Sequence, residues 1–176
     1  MIPANSNIQI RQADRELDAR LLAAIAEDTF VTTYGHLYAA SDVARFLERR
    51  HSRQVYRRLI ADREYALWLA TDRGEPVAYA VAGPCALPAP DRMGDAGEIK
   101  RLYVSAARRG GGLGGRLMDC MLHWLAERHG DVFVSVFSGN EGAQRFYTRY
   151  GFLKVHEYYF EVGDHRDHEW IMKRSS

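Results

Sequence analysis

EIKRLYVSAARRGGGLGGRLM, residues 98–118, is the stretch on which the fold turns. Its first seven residues are a short, largely apolar run that reads as a β-strand. From Leu113 onward, Leu113, Leu117, Met121, Leu122 and Leu125 recur at helical spacing, which predicts an amphipathic helix ending at Gly130. Between strand and helix lies a loop of arginines and glycines. The backbone N–H groups of such a loop gather at a helix N-terminus, where the dipole favours an anion and small residues let it approach. Arg108, Arg109 and Arg116 add the charge that a pyrophosphate uses in charge-assisted hydrogen bonds. A flexible glycine loop with no ligand would have the same composition.

Two familiar phosphate loops do not fit. Gly110, Gly112 and Gly115 satisfy GxGxxG, but a dinucleotide fold sets that turn directly against its strand, and residues 105–109 intervene here. Asp131, where an acidic ribose partner would be sought, begins the next strand instead of ending it. A nucleoside-triphosphate loop needs Gly-Lys-Ser or Gly-Lys-Thr, and Arg116-Leu117 stands in that place.

Toward the C-terminus, residues 132–137 read as a strand, 138–150 as a turn and short helix closed by Gly151, and 152–162 and 168–172 as two final strands. Asn140, Ala143 and Tyr147 share one face of that short helix within roughly 11 Å of its axis. Toward the N-terminus, residues 8–11 alternate as a strand, and 15–28 carry Leu17, Leu21, Leu22, Ile25 and Ala26 at helical spacing. An aromatic loop is predicted over 29–40. Ser41 and Asp42 then cap a helix through Arg50, and Ser52 caps a third carrying Val55, Leu59 and Ile60. Residues 65–70 and 77–82 flank the polar turn Asp72-Arg73-Gly74-Glu75 as an antiparallel hairpin, followed by a proline-rich loop over 83–97. The chain therefore reads as one α/β domain spanning 1–176, a length suited to a single core.

Composition removes several functional classes. The 24 basic against 23 acidic side chains leave a net charge of +1, without the excess expected of a nucleic-acid binder. Cys85 and Cys120 are the only cysteines, with neither zinc-site spacing nor a disulfide framework, so a reducing cytoplasm is expected. The opening MIPANSNIQIRQADREL lacks the pattern of an export signal, and no apolar run approaches membrane-spanning length. His165 and His168 lack a third ligand, so no metal is assigned.

EIKRLYV followed by RGGGLGGRLM resembles the signature strand, loop and helix of the GNAT N-acetyltransferase superfamily, with Arg109, Gly112 and Gly114 at its Arg/Gln-x-x-Gly-x-Gly/Ala positions. Asn140, Ala143, Phe146, Tyr147, Gly151 and Phe152 match a second family pattern, Asn-x-x-Ala-x-x-Phe-Tyr with Gly-Phe after it. One helix and one strand separate the two, as in the family. The outer segments TFVTTYGHLYAASDVARFLE and YYFEVGDHRDHEWIMKR are similar to the bacterial polyamine (spermidine or diamine) acetyltransferase branch.

The resemblance implies a single-domain fold with a mixed, mostly antiparallel sheet of about six to seven strands and about four to five helices. It implies transfer of acetyl from acetyl-CoA to a primary amine of a small molecule, such as a polyamine, by direct attack in a ternary complex, the enzyme acting as a monomer or homodimer. A protein N-terminus or lysine is the alternative acceptor, and a non-catalytic acyl-CoA sensor the alternative role. Cofactor contacts are implied for the backbone of Leu102, Tyr103 and Val104, for Arg109, Gly110, Gly111, Gly112, Leu113, Gly114 and Gly115, and for Asn140 and Tyr147. Glu98 matches the position of a general base and equally reads as a solvent-facing strand glutamate. Tyr147 matches the tyrosine that protonates departing CoA, against a core tyrosine bonded locally. Asn140 is also explained as an N-cap. Tyr34, His36 and Tyr38 fall where the family roofs its acceptor site, and Glu27, Asp28 and Glu48 either attract a polyamine or are solvated charges.

Overall fold

The computed structural model describes residues 7–175, so residues 1–6 of the expected domain and of the segment read for an export signal, together with Ser176, lie outside it. Strands β1 (Ile8–Gln12), β2 (Ala66–Asp72), β3 (Glu75–Pro84), β4 (Gly97–Val104), β5 (Val132–Phe137), β6 (Leu153–Val162) and β7 (His165–Arg174) form one sheet in the order β1-β2-β3-β4-β5-β7-β6. All neighbours are antiparallel except β4 and β5. Five helices accompany them: α1 (Glu16–Tyr34), α2 (Ala40–His51), α3 (Arg53–Ala61), α4 (Leu113–Ala126) and α5 (Glu141–Arg149).

The central strands are apolar in unbroken runs because both faces are covered. Ala66, Trp68, Ala70, Ala78, Ala80 and Ala82 meet Leu117, Met118, Met121 and Leu125 of α4. Leu67, Leu69, Tyr79 and Val81 point the other way, against Leu22, Ile25 and Ala26 of α1 and Tyr56 of α3. The two-residue turn between β2 and β3 holds Arg73 at φ 54° and Gly74 at φ 89°, both left-handed as the twist of a tight hairpin requires.

Five sequence readings are corrected. The aromatic loop over 29–40 is helical as far as Tyr34 and continues into a 3-10 turn, Gly35–Leu37. Phe30 and Tyr34 carry on the apolar stripe through Ala26 at four-residue intervals, and burial of Phe30 overrides the weak helix preference of the β-branched residues between them. Leu17 is exposed, and Ala19 is buried in its stead. Ser41 and Asp42 sit inside the first turn of α2, where Ala39 is the cap residue. Helix α4 stops at Ala126, with the Arg128 and His129 N–H groups both folding back to the Leu125 carbonyl, four residues before the glycine predicted to end it. β7 also begins earlier than expected, at His165.

Asp18, completely buried at the start of α1, fastens β1 to that helix. It accepts hydrogen bonds from the Arg11 guanidinium at 2.5 and 2.8 Å and from the N–H groups of Asp14 and Arg15 at 3.1 and 3.0 Å. The Arg11 hydrogen bonds, against the opposing effect of burial, hold its pKa down at about 2. A folded-state value below the unfolded one stabilises the fold above about pH 4 and loses that contribution as the pH falls toward 2. Asp18→Asn is expected to cost roughly 2–4 kcal/mol at pH 7, because it strands the partners of a buried charge. Thermal melts should show a fall of about 5–15 °C. The gap from the parent should narrow as the pH is lowered from 5 toward 3, and a constant gap would mean that the carboxylate's charge contributes nothing.

Candidate active site

β4 and β5 pair only at Gly97 with Val132, Glu98 with Phe133 and Ile99 with Val134. At the next residue β4 bulges: Ala82 faces Ile99 and Val81 faces Arg101, which leaves Lys100 as the extra residue. A bulge bends its strand. Beyond it, Leu102, Tyr103 and Val104 keep β3 on one edge and have no strand on the other. The parted strands open onto a cavity of about 1200 Å³ lined by residues from both faces of the sheet.

On the face of α4 and α5, the cavity is lined by Leu102, Val104, Arg109, Gly114, Asn140 and Tyr147, all expected from the sequence. The glycine loop supplies its rim. Gly110 and Gly112 have φ of 80° and 77°, and a side chain at either would enter open space. These are conformations that glycine alone adopts freely, and they leave the approach to the α4 N-terminus clear. The first bond into the helix runs from the Arg116 N–H to the Gly112 carbonyl at 3.1 Å, so the N–H groups of Leu113, Gly114 and Gly115 have no partner within it. Arg109 donates to the Val104 carbonyl at 3.2 Å and to Thr33 at 3.1 Å, both neutral acceptors that leave its charge uncompensated. Arg108 is different, being paired with Asp72 at the end of β2.

Two members of the loop have structural work. The Leu113 side chain is buried in the core, and Gly115 makes room for Tyr150, whose hydroxyl donates to the Gly115 carbonyl at 3.3 Å. Gly110, Gly111 and Gly112 are exposed at the rim and do not line the cavity itself.

Asn140 caps α5, its Oδ1 accepting from the Ala143 N–H at 3.1 Å, while its Nδ2 donates to the Tyr34 hydroxyl at 3.4 Å. The capping and cavity readings of this residue therefore coexist. Tyr147, two turns along, packs edge-on against Phe146 and Phe152. Burial, and after it Tyr34 and Glu169, raise its pKa well above that of a free phenol, so the hydroxyl keeps its proton at neutral pH.

The opposite face is roofed by aromatic side chains. Phe30 stacks on Phe46 at 4.6 Å, Phe46 meets Phe160 edge-on, and Tyr34 meets Phe137 edge-on. Tyr38 donates to Asp167, which ties the segment after α1 to the β6–β7 hairpin. His51 contacts the Tyr56 hydroxyl at 3.0 Å, and burial, helped by Arg101 and Arg50, pushes it down to about 3. It is neutral in the working range. His36 is exposed at the cavity mouth. Glu27, Asp28 and Glu48 are exposed and do not line the cavity.

The acidic wall comes from elsewhere. Asp167 and Glu169, two apart on β7, face the same side of the sheet and line the cavity. Their i, i+2 spacing in Asp167-His168-Glu169 was the available signal, and the predicted strand began one residue too late to use it. Glu98 is only 7% exposed and is held at Oε2 by the Ala86 N–H at 2.8 Å and the Lys100 ammonium at 2.7 Å. Among the described residues no cluster of three His, Cys, Asp or Glu side chains could hold a metal, and no helix is long and apolar enough to cross a membrane.

Residues 25–152 match the acetyltransferase (GNAT) family. An uncharacterized N-acetyltransferase of Mycobacterium bovis is 30% identical over 161 residues, covering 89% of this chain and 97% of its own. Among solved structures, the PaiA N-acetyltransferase of Thermoplasma acidophilum in complex with coenzyme A superposes with a TM-score of 0.75 at 16% identity, covering 97% and 99% of the two chains. The ribosomal-protein-S18-alanine N-acetyltransferase of Escherichia coli follows with 0.68 at 17%, covering 96% and 93%. With a family match over most of its length and a relative 30% identical, the chain belongs to the GNAT acetyltransferase family.

Proposed function

We propose that the protein transfers the acetyl group of acetyl-CoA to a primary amine of a small cationic molecule, with a polyamine as the leading class, by direct attack in a ternary complex. One observation carries this reading: an anion cradle and an acidic, aromatic-roofed pocket open into one cavity from opposite faces of the sheet. The cradle fits a diphosphate, with its uncovered N–H groups, its two left-handed glycines and the uncompensated charge of Arg109. Acetyl-CoA, when bound, supplies the activated thioester. The protein's own residues do the rest.

The unpaired edge at Leu102, Tyr103 and Val104 is suited to hold an extended arm as an added strand would be held. The Leu102 N–H is assigned to polarise the reacting carbonyl. Tyr147, kept protonated by burial, gives its proton to the departing sulfur and recovers one from the attacking nitrogen. The ammonium's first proton goes to a carboxylate facing the cavity, Glu98 or Glu169. The aromatic roof excludes water. With both cysteines free, we place the enzyme in the cytoplasm, as a monomer or homodimer.

Coenzyme A is expected to raise the melting temperature, since a ligand of the native state alone stabilises it by about 2.7 kcal/mol at a hundred times its Kd. Calorimetry showing no heat at millimolar CoA would remove the cofactor assignment. Turnover with spermidine, putrescine, an alanine-initiated peptide and a lysine peptide then ranks the acceptors. Preference for either peptide over both polyamines would overturn the small-molecule reading.

A further inference from the structure

We infer that Glu169, oriented by Ser135 and Tyr158, is the group that takes the proton from the incoming ammonium, while Glu98 serves to hold the loop between β3 and β4. The inference rests on the acetyl-transfer reading above and assigns the base within it.

Strand register carries the first part of the argument. Glu98 lies opposite Phe133, inside the short stretch where β4 and β5 are still joined. Glu169 lies opposite Phe137, four residues farther along β5 and so roughly 13 Å into the parted region. Leu102, whose N–H is assigned to the reacting carbonyl, is likewise four residues beyond Glu98 along β4. Glu169 therefore stands level with the reaction, and Glu98 at the closed end of the wedge.

The surroundings of the two carboxylates agree. Glu98 is bonded to the Ala86 N–H and to Lys100, and its field falls on Tyr65 and Cys85 at that closed end, reaching Tyr158 only behind that of Glu169. Glu169 instead acts on Tyr34, Tyr103 and Tyr147, the hydroxyls gathered about the opening. Ser135 from β5 and Tyr158 from β6 both donate to its Oε2, the latter at 3.3 Å, and lie 3.0 Å from each other. Among the described residues no donor reaches Oε1, so one oxygen is fixed and the other faces the cavity. Burial raises the Glu169 pKa, Asp167 adds to the rise, and the Ser135 and Tyr158 hydrogen bonds oppose it. Asp167 is itself engaged by Tyr38 and by His165 at 3.1 Å. A carboxylate moved toward neutrality is better matched to accept a proton and release it again.

The balance is simple. One of the three ammonium protons passes to the Glu169 carboxylate, freeing the nitrogen lone pair, which forms the C–N bond as the C–S bond breaks. A second nitrogen proton reaches the sulfur through Tyr147, and the third stays on the amide. The proton on Glu169 leaves to solvent with the products.

The test is the pH dependence of single-turnover transfer from acetyl-CoA to spermidine, or to whichever of the four amines the parent acetylates fastest. Glu169→Gln should lower the neutral-pH rate by about 10²- to 10⁴-fold. What remains should rise roughly tenfold per pH unit, as free amine accumulates, and approach the parent near pH 10. Tyr158→Phe, which removes an opposing hydrogen bond, should move the acid limb of the profile to higher pH, and the ¹³C carboxyl titration of Glu169 in the CoA-free protein should move with it. Glu98→Gln should leave the position of that limb unchanged. A Glu169→Gln rate within threefold of the parent at pH 7, a loss equal at every pH, or a limb that disappears with Glu98→Gln would overturn the assignment. Should Glu169→Gln fail to fold, the Tyr158→Phe shift decides alone. A parent that binds no CoA or acetylates none of the four amines breaks the wider reading instead, so the two failures are distinct.

Discussion

Tyr147→Phe is expected to slow single-turnover acetyl transfer by about 10²- to 10⁴-fold while leaving CoA affinity within about threefold of the parent. The substitution keeps the ring, and with it the edge contacts to Phe146 at 5.6 Å and Phe152 at 5.8 Å, so packing is held constant. Only the hydroxyl is lost. Because burial raises the pKa of that hydroxyl, the donor stays protonated across the usual assay range, and no alkaline limb below about pH 10 should be traceable to it. Release of the buried proton must be coupled to its replacement from the attacking nitrogen, since a bare phenolate would be costly there. Steady-state rates limited by product release would conceal the effect, which is why the single turnover is the measurement. A rate within twofold of the parent would make Tyr147 a packing residue.

Gly112→Glu is expected to weaken CoA binding by at least about a hundredfold. Gly112 caps α4 from φ 77°, and no heavy atom lies within 4 Å of where its Cβ would stand, so a carboxylate there has room beside the helix N-terminus proposed to hold the diphosphate. Two like charges about 5 Å apart at an effective dielectric of ~20 repel by roughly 3 kcal/mol, or about two decades in Kd. Left-handed strain costs any side chain here about 1–2 kcal/mol of stability, whatever its charge. Gly112→Gln carries that strain without the charge and isolates the electrostatic part. Calorimetry giving both variants the same CoA affinity would move the diphosphate away from this loop.

The cradle proposed for the acyl donor was legible because its parts are local in sequence. Arg109, the glycines, Asn140 and Tyr147 lie within one loop and one short helix, where spacing alone fixes which residues share a turn or a face. Most helices and strands were found where periodicity placed them. The acidic wall of the cavity was not legible in this way. Glu169 draws its meaning from Ser135 and Tyr158, 34 and 11 residues away in the chain, and Asp167 from Tyr38, 129 residues away. No pattern within a window links such residues. The aromatic segment 29–40 misled for a related reason: its helical part is held by Phe30 packing on Phe46 rather than by intrinsic preference, the buried Thr29 hydroxyl being satisfied by the Ile25 carbonyl at 2.7 Å.

The parting of β4 from β5 also makes one cavity out of two distant parts of the chain. The match to the family runs over residues 25–152 and stops where β6 begins, so it takes in the open strand edge, the cradle and Tyr147 but not the β6–β7 hairpin. Asp167 and Glu169 belong to that hairpin and line the same cavity. On the acetyl-transfer reading proposed above, a substitution in the hairpin changes the wall that meets the amine and leaves the cradle proposed for the acyl donor as it is.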